Sequence, residues 1–218
     1  MKNSTWSGRF KKGLDEEVLE FSESISFDHL LFDSDIRVCI AHAEMLSECK
    51  IISKKESNML IKGLSAVQKK YDACKLRLSI KFEDVHMNIE QALTKEIGEL
   101  GKKIHMGRSR NDLVATDFRL YLRDCSDLIL EKLRDIRYAL ALSAHDNSSV
   151  IFPGYTHFQL AQPVTFGHHL LAWHEMLARD EQRMAQTKDR LNVLPLGSAA
   201  LSGTCLLYTS DAADDYIR

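Results

Sequence analysis

Residues that break helices are scarce in this chain, which has ten glycines and three prolines among 218 residues. A fold of many short strands joined by tight turns would need more of both, so long helices are favoured. The sequence also lacks an apolar run of the ~18–20 residues that cross a bilayer. Nothing near Met1 has the apolar stretch of a signal peptide. These absences argue against a membrane partner and predict a cytoplasmic protein.

Metal-binding and charge signals are also weak. The five cysteines form no CxxC pair and no zinc-like spacing, so we expect small apolar thiols in a reducing compartment. The formal net charge of −2 gives no basis for binding nucleic acid or an anionic membrane surface.

Apolar residues recur at helical spacing along most of the chain. One helix is predicted from Leu14 through Val18, Phe21 and Ile25, and a second ends near Lys50. A third starts at Ser53, which forms the Ser-x-x-Glu pattern of a capping box.

Two longer helices follow. No glycine or proline occurs between Asp112 and His145, which predicts a helix of roughly 34 residues, about 50 Å long. Pro163 is predicted to lie in the first turn of a second long helix. Such a pair indicates an elongated all-α bundle that is completed by other subunits.

The segment Gly154–Pro163 joins the two long helices and is read as a polar loop. It combines a glycine, a hydroxyl, an imidazole and two amides in ten residues. Loops on rigid scaffolds often carry binding and catalytic groups, so this loop is a site candidate. His157 is its only side chain that moves a proton near neutral pH without large retuning.

A second polar cluster spans Lys102–Asp112. Asp112 is predicted to cap the long helix, and Arg108, Ser109, Arg110 and Asn111 beside the helix start could cradle a carboxylate. The alternative is a charged loop that merely caps the helix.

A third cluster spans Glu83–Glu90. His86 and Glu90 are four residues apart and share a helix face. With no further ligand pair nearby, a surface His–Glu pair is preferred to a metal site. The histidines at 168, 169 and 174 form no H-E-x-x-H motif, so no metal is predicted there either.

Several of these segments, in order, resemble the argininosuccinate lyase family of the fumarase/aspartase superfamily. The resemblance covers residues 1 to about 204. The matching segments are Trp6–Phe10, Ser24–Asp28, Glu83–His86, Gly107–Asp112, Gly154–His157 through His168-His169, and Asn192–Ser198.

The resemblance implies a fold and a reaction. The fold is a small N-terminal helical domain followed by the start of a long-helix bundle, with active sites assembled at the corners of a homotetramer. The reaction is a reversible β-elimination that splits argininosuccinate into arginine and fumarate, in arginine biosynthesis, without a metal or organic cofactor.

The resemblance also implies roles for individual residues. His157 would be the catalytic proton-transfer residue, working with a serine on a mobile loop; either partner could be the base. Substrate-binding roles fall to Ser24, Arg110, Asn111 and Thr156. Supporting roles fall to Asp28, His86, Ser109 and Gln162.

The sequence departs from the family pattern at several positions. Family members often have Gln where Leu113 stands, Arg where Leu160 stands, and Gly at Ala199. The family's Ser-Ser-x-Met-Pro-x-Lys-x-Asn loop, which carries the catalytic serine, does not occur in these 218 residues. Residues 205–218 resemble a translated sequencing adapter.

We therefore expect an N-terminal domain at 1–111, a truncated bundle domain at 112–204 and a foreign tail at 205–218. The expected function is that of an argininosuccinate lyase whose 218-residue chain is inactive alone. Two alternatives are a non-catalytic, crystallin-like helical assembly protein and another lyase of the superfamily, such as adenylosuccinate lyase.

Overall fold

The computed structural model describes residues 15–204, and helices dominate them, which confirms the predicted all-α class. The helices are α1 (Glu16–Ser22), α2 (Ile25–Asp28), α3 (Phe32–Glu48), α4 (Lys54–Asp72), α5 (Val85–Ile97), α6 (Arg110–Asp146) and α7 (Phe166–Leu191). Short 3₁₀ segments cover His29–Leu31, Ile80–Phe82 and Gly98–His105. Strands β1 (Ile151–Thr156) and β2 (Gln159–Thr165) form a hairpin. None of the helices between residues 15 and 204 is both long and apolar enough to span a bilayer.

By its internal contacts, the chain divides into two compact units. Among the described residues, unit 1 comprises 15–121 together with 194–204, and unit 2 comprises 122–193. The division falls within α6, whereas the domain boundary predicted from the sequence, between 111 and 112, lies at the start of that helix. The predicted three-part organisation stays a prediction. Trp6–Phe10 and the proposed foreign tail at 205–218 lie outside the described residues.

The core of unit 1 lies between α3, α4 and α5. Large apolar side chains such as Phe32, Leu60 and Leu93 are almost completely buried there. The predicted capping box at the start of α4 is present: the Glu56 N–H donates to Ser53 Oγ (3.2 Å) and the Ser53 N–H donates to Glu56 Oε2 (2.8 Å). These helices follow the apolar pattern of the sequence closely.

The prediction of one continuous first helix is wrong, because the structure has two short helices there. Helix α1 ends at Ser22, and α2 begins after Ser24. The cause is a competing backbone contact, because the N–H groups of Ser24 and Ile25 both donate to the carbonyl of Glu83 (2.9 and 3.0 Å). Of the apolar residues Val18, Phe21 and Ile25 that predicted this helix, only Ile25 is buried, and Phe21 is 92% exposed.

In unit 2, the second part of α6 and α7 lie antiparallel. Asp127 pairs with Lys188 near one end, and Glu181 pairs with Arg134 and Arg137 further along. The helices lie close together at Gly167, where an added Cβ would lie 2.4 Å from the Ala144 carbonyl oxygen. A glycine is needed there because backbone occupies the space of a side chain.

The long helix is confirmed, with bounds slightly wider than predicted, but the predicted start of the second is wrong. Pro163 lies in β2 opposite Pro153, and α7 begins at Phe166. Thr165 caps α7 by accepting the N–H of His168 (3.1 Å). In a two-stranded sheet both strands are edges, so a proline without an N–H is tolerated.

Candidate functional site

The predicted polar loop Gly154–Pro163 is a β-hairpin with His157 at its tip. Thr156 pairs with Gln159, which leaves His157 and Phe158 as the two turn residues. Their φ angles are +49° and +60°, the left-handed values that a type I′ turn requires at both central positions. Asn and Gly usually occupy these positions. A bulky aromatic with positive φ is an outlier, and such strain clusters at functional sites.

The sides of the hairpin carry the other predicted residues of this segment. Thr156, His157 and Gln162 are all exposed to solvent. The strands are out of step between Pro153 and Tyr155, and an added Cβ at Gly154 would lie 2.8 Å from the Gln162 carbonyl oxygen. Gly154 therefore permits the close approach of the strands that shapes the hairpin beneath the tip.

In unit 1, Ser24 and Asp28 lie against the start of α5. Ser24 Oγ donates to Asp28 Oδ2 (2.6 Å), and the Val85 N–H donates to both carboxylate oxygens of Asp28 (3.2 and 3.3 Å). Glu83, two residues before Val85, has φ +57°. Partial burial raises the pKa of Asp28 despite the hydrogen bonds from Ser24 and Val85. The side chain of Asp28 thus joins two helix starts.

Arg110 reaches the same helix start from α6. Its guanidinium forms an ion pair with Asp84, whose other oxygen caps α5 by accepting the Met87 N–H (2.8 Å). The structure therefore brings Ser24, Asp28 and Arg110 together around residues 83–85, at the N-terminal end of a helix. The N–H groups of Val85 and Met87 at this helix start are bonded to the carboxylates of Asp28 and Asp84, which the positive end of the helix dipole stabilises.

Arg108 is not part of an exposed carboxylate cradle, which corrects one part of that prediction. It is 7% exposed, and its guanidinium donates to the carbonyl of Ile104 and contacts Cys39 Sγ (3.5 and 3.6 Å). Its charge points into the interior of unit 1.

The start of α6 is also arranged differently from the prediction. Ser109 Oγ accepts the Asn111 N–H (3.3 Å), while the Ser109 N–H donates to Asp112 Oδ1 (3.0 Å). This reciprocal pattern makes Ser109 the capping residue and places Asp112 in the first turn. Asn111 is exposed beside them.

His86 is not on the surface, so the predicted surface pair with Glu90 is wrong. His86 is 1% exposed, and its Nδ1 lies 2.8 Å from Asp35 Oδ2. Burial alone would raise the pKa of Asp35, but the neighbouring His86 and Arg108 lower it. His86 thus supports α5 from within, bonded to a carboxylate of α3.

Sequence reasoning missed the buried polar residues of α3. Asp35 and His42 are fully buried, and His42 Nε2 lies 2.9 Å from the Met106 carbonyl oxygen. They are seven residues apart and therefore on one helix face. A polar side chain at a position of the apolar stripe is the signal that could have found them.

A comparison with known protein families decides what kind of protein this is. A family model described as "Lyase" (Lyase_1) matches residues 8–214. The chain belongs to this lyase family. The match includes residues 205–214, whose foreign origin stays a prediction.

Curated relatives of this lyase share about half of its residues. Argininosuccinate lyase from Nitrosococcus oceani is 52% identical over 199 residues, which are 91% of this chain and 43% of the relative. Argininosuccinate lyase from Chromohalobacter salexigens is 49% identical over 202 residues, which are 93% of this chain and 43% of the relative. This chain thus spans less than half the length of the relatives that it matches.

A solved structure supports the same relationship. A variant of EDDS lyase with bound fumarate is 31% identical, with a TM-score of 0.74 over 90% of this chain and 38% of that protein. The helical architecture of this lyase is therefore that of its family.

Three departures from the family pattern have different structural settings. Leu113 is fully buried in a small apolar cluster with Val38 and Leu196. Leu160 lies on β2 and is 70% exposed. Ala199 has φ +52°, a conformation that glycine adopts more easily.

Proposed function

We propose that this lyase chain is the N-terminal part of an argininosuccinate lyase, which cleaves argininosuccinate reversibly into arginine and fumarate. The observation that carries the proposal is the identity of about half the residues with curated argininosuccinate lyases across more than 90% of the chain. The EDDS lyase variant with bound fumarate supports the same product chemistry.

The reaction needs a base, an acid and fixed hydrogen-bond donors. A base removes a proton from the carbon next to a carboxylate, and negative charge builds on that carboxylate. The bond from the neighbouring carbon to the arginine nitrogen then breaks, its electron pair goes to nitrogen, and nitrogen takes up a proton. Donors fixed around the carboxylate stabilise the charge in the transition state.

The proposed roles follow the chemistry of each side chain. Arg110, Asn111, Ser24 and Thr156 supply donors of the kind that a carboxylate substrate needs. His157 supplies the imidazole for proton transfer, an effect worth about 10²–10⁴-fold in rate. Asp28, His86, Ser109 and Gln162 support these groups, and the pairing of Asp28 with Ser24 and Val85 is consistent with that role.

The proposed assembly is a homotetramer in the cytoplasm. Apolar side chains of unit 2, such as Leu128, Ile136 and Trp173, are about half exposed in this chain. Exposed apolar surface of this kind marks interaction sites between proteins. Cysteines without CxxC pairing fit a reducing compartment.

The test is a chimera that joins residues 1–204 of this chain to the rest of the Nitrosococcus oceani relative. We expect fumarate release from argininosuccinate, and we expect His157→Asn to reduce the rate by about 10²–10⁴-fold. His145→Asn, an exposed position at the end of α6, is the matched control and keeps the parental rate.

Two outcomes contradict the proposal. A folded, tetrameric chimera without fumarate release would refute the activity. A His157→Asn chimera with near-parental turnover would refute the role of the hairpin tip. The 218-residue chain alone is expected to be inactive, because the family's serine motif is absent from its residues.

A further inference from the structure

Two groups of potential metal ligands lie in the interior of unit 1, and they differ in whether their atoms are already bonded. The first group is Asp35, Cys39 and His86. His86 Nδ1 and Cys39 Sγ both bond to the Asp35 carboxylate (2.8 and 3.2 Å). The ligand atoms of this first group are therefore already hydrogen-bonded to one another.

The second group is His86, Glu90 and His105, and its ligand atoms are not hydrogen-bonded to one another. Glu90 Oε2 lies 3.9 Å from His86 Nε2 and 3.9 Å from His105 Nδ1, which is too far for hydrogen bonds. Among residues 15–204, neither of these ring nitrogens has a hydrogen-bond partner. A buried polar atom without a partner destabilises the folded state, so these two nitrogens favour a bound ligand.

We propose that His86 Nε2, His105 Nδ1 and Glu90 form a binding site for one divalent transition-metal ion with zinc-like preferences. Two imidazoles and one carboxylate are a common zinc ligand set with a position left for water or another ligand. In the sequence, no further ligand pair lies near His86 and Glu90, which disfavours a metal site there. The 3₁₀ segment that ends at His105 brings a third ligand to them in the structure.

The spacing is close to that of a formed site. Two ligands at ~2.1 Å from a tetrahedral zinc ion are about 3.4 Å apart. The observed distances from Glu90 Oε2 to the two ring nitrogens are 3.9 Å, so small side-chain rotations would bring these atoms to the spacing of a zinc site. The three ligand atoms of this group all lie within 4.8 Å of one another.

The surroundings orient His86 as a ligand. Its Nδ1 lies 2.8 Å from Asp35 Oδ2, so the N–H is directed to the carboxylate and Nε2 presents a lone pair. A carboxylate behind a ligating histidine fixes the tautomer and raises ligand basicity.

Charge and access set the affinity of the site. Asp35 and Glu90 favour a cation, whereas the nearby guanidinium groups of Arg108 and Arg110 oppose it. His105 is 39% exposed while Glu90 is 16% exposed, so an ion enters from the His105 side. The ion would cross-link α5 to the 3₁₀ segment, a structural role in addition to the supporting role proposed for His86.

The test is titration of the purified, metal-free 218-residue chain with Co²⁺ and Zn²⁺. We expect one ion per chain, a visible absorption band of tetrahedral Co²⁺ that Zn²⁺ removes, and a higher melting temperature with Zn²⁺. His105→Asn lowers the affinity at least tenfold. Its half-exposed position makes this change compatible with folding. His145→Asn is the control for an exposed histidine and leaves the affinity unchanged.

A second variant addresses the support of His86. Asp35→Asn, if folded by circular dichroism, lowers the affinity by about 10–100-fold without changing the stoichiometry. Absence of one-to-one binding, or an affinity that His105→Asn leaves unchanged, overturns the proposal. None of these readouts uses catalytic activity, so they stand or fall independently of the proposed function.

Discussion

The strained tip of the hairpin allows a direct test of backbone strain, because Phe158 has a positive φ and no side-chain burial. Its φ is +60° and its side chain is 101% exposed, so replacing it removes no packing contact. A Cβ in left-handed conformation costs about 1–2 kcal/mol. Glycine avoids that cost but loses ~0.4–1 kcal/mol through its freer unfolded state. Phe158→Gly should therefore stabilise unit 2 by about 0.5–1 kcal/mol.

The assay is urea unfolding followed by the fluorescence of Trp173, which lies on α7 in the same unit. A Trp6→Phe background leaves Trp173 as the single tryptophan. With a urea dependence of ~1–3 kcal/mol per molar, the unfolding midpoint should rise by roughly 0.2–1 M.

Two matched changes separate strain from composition. Leu160→Gly removes another exposed apolar side chain from the hairpin, but at a residue without positive φ, so it should destabilise by ~0.5–1 kcal/mol. Phe158→Val adds β-branching at a left-handed position and should lower the midpoint. If Phe158→Gly destabilised unit 2 as much as Leu160→Gly does, the strain argument would be refuted.

Two further predictions concern unit 1. Ala199→Gly should stabilise it by about 0.5–1 kcal/mol, because Ala199 has φ +52°, while Ala200→Gly, without positive φ, should not; equal effects in denaturant titrations would contradict this. Burial, and next the charge of Asp35, raise the pKa of Asp117 well above its usual value, so the folded state holds a proton that the unfolded state releases. Stability should then fall as pH rises from the unfolded pKa towards the folded one, and Asp117→Asn should remove that slope in unfolding free energies measured across the range.

The helices of this chain were largely predictable because their apolar periodicity is strong and their breakers are few. The capping box of Ser53 and Glu56 predicts the start of α4, and the stretch without glycine or proline predicts α6. The break between α1 and α2 was not predictable, because it depends on the carbonyl of Glu83, some sixty residues away in sequence. The local spacing of apolar residues does not predict a contact between residues so far apart in the sequence.

The candidate site was predictable in composition but not in arrangement. The segments containing Ser24, Arg110 and His157 stood out as polar clusters or family motifs. The hairpin under His157 was missed, since its two prolines and a glycine are typical of a loop. Arg108 was misplaced because a sequence does not show which of two neighbouring arginines points inward. Asp35 was missed because it occupies a position where apolar residues are expected.

The side chain of Asp112 has a consequence for the order in which the chain is built. Its Oδ2 accepts the N–H groups of Gly197 (3.3 Å) and Ala199 (2.7 Å), residues made 85 and 87 positions later. On the ribosome, α3, α4 and α5 can pack as soon as they emerge. The Asp112 carboxylate can bond to Gly197 and Ala199 only after the whole of unit 2 has been synthesised. The last contacts of the first unit are therefore made after the second unit has left the ribosome, and a nascent chain halted within α7 exposes an unpaired carboxylate oxygen that a completed one conceals.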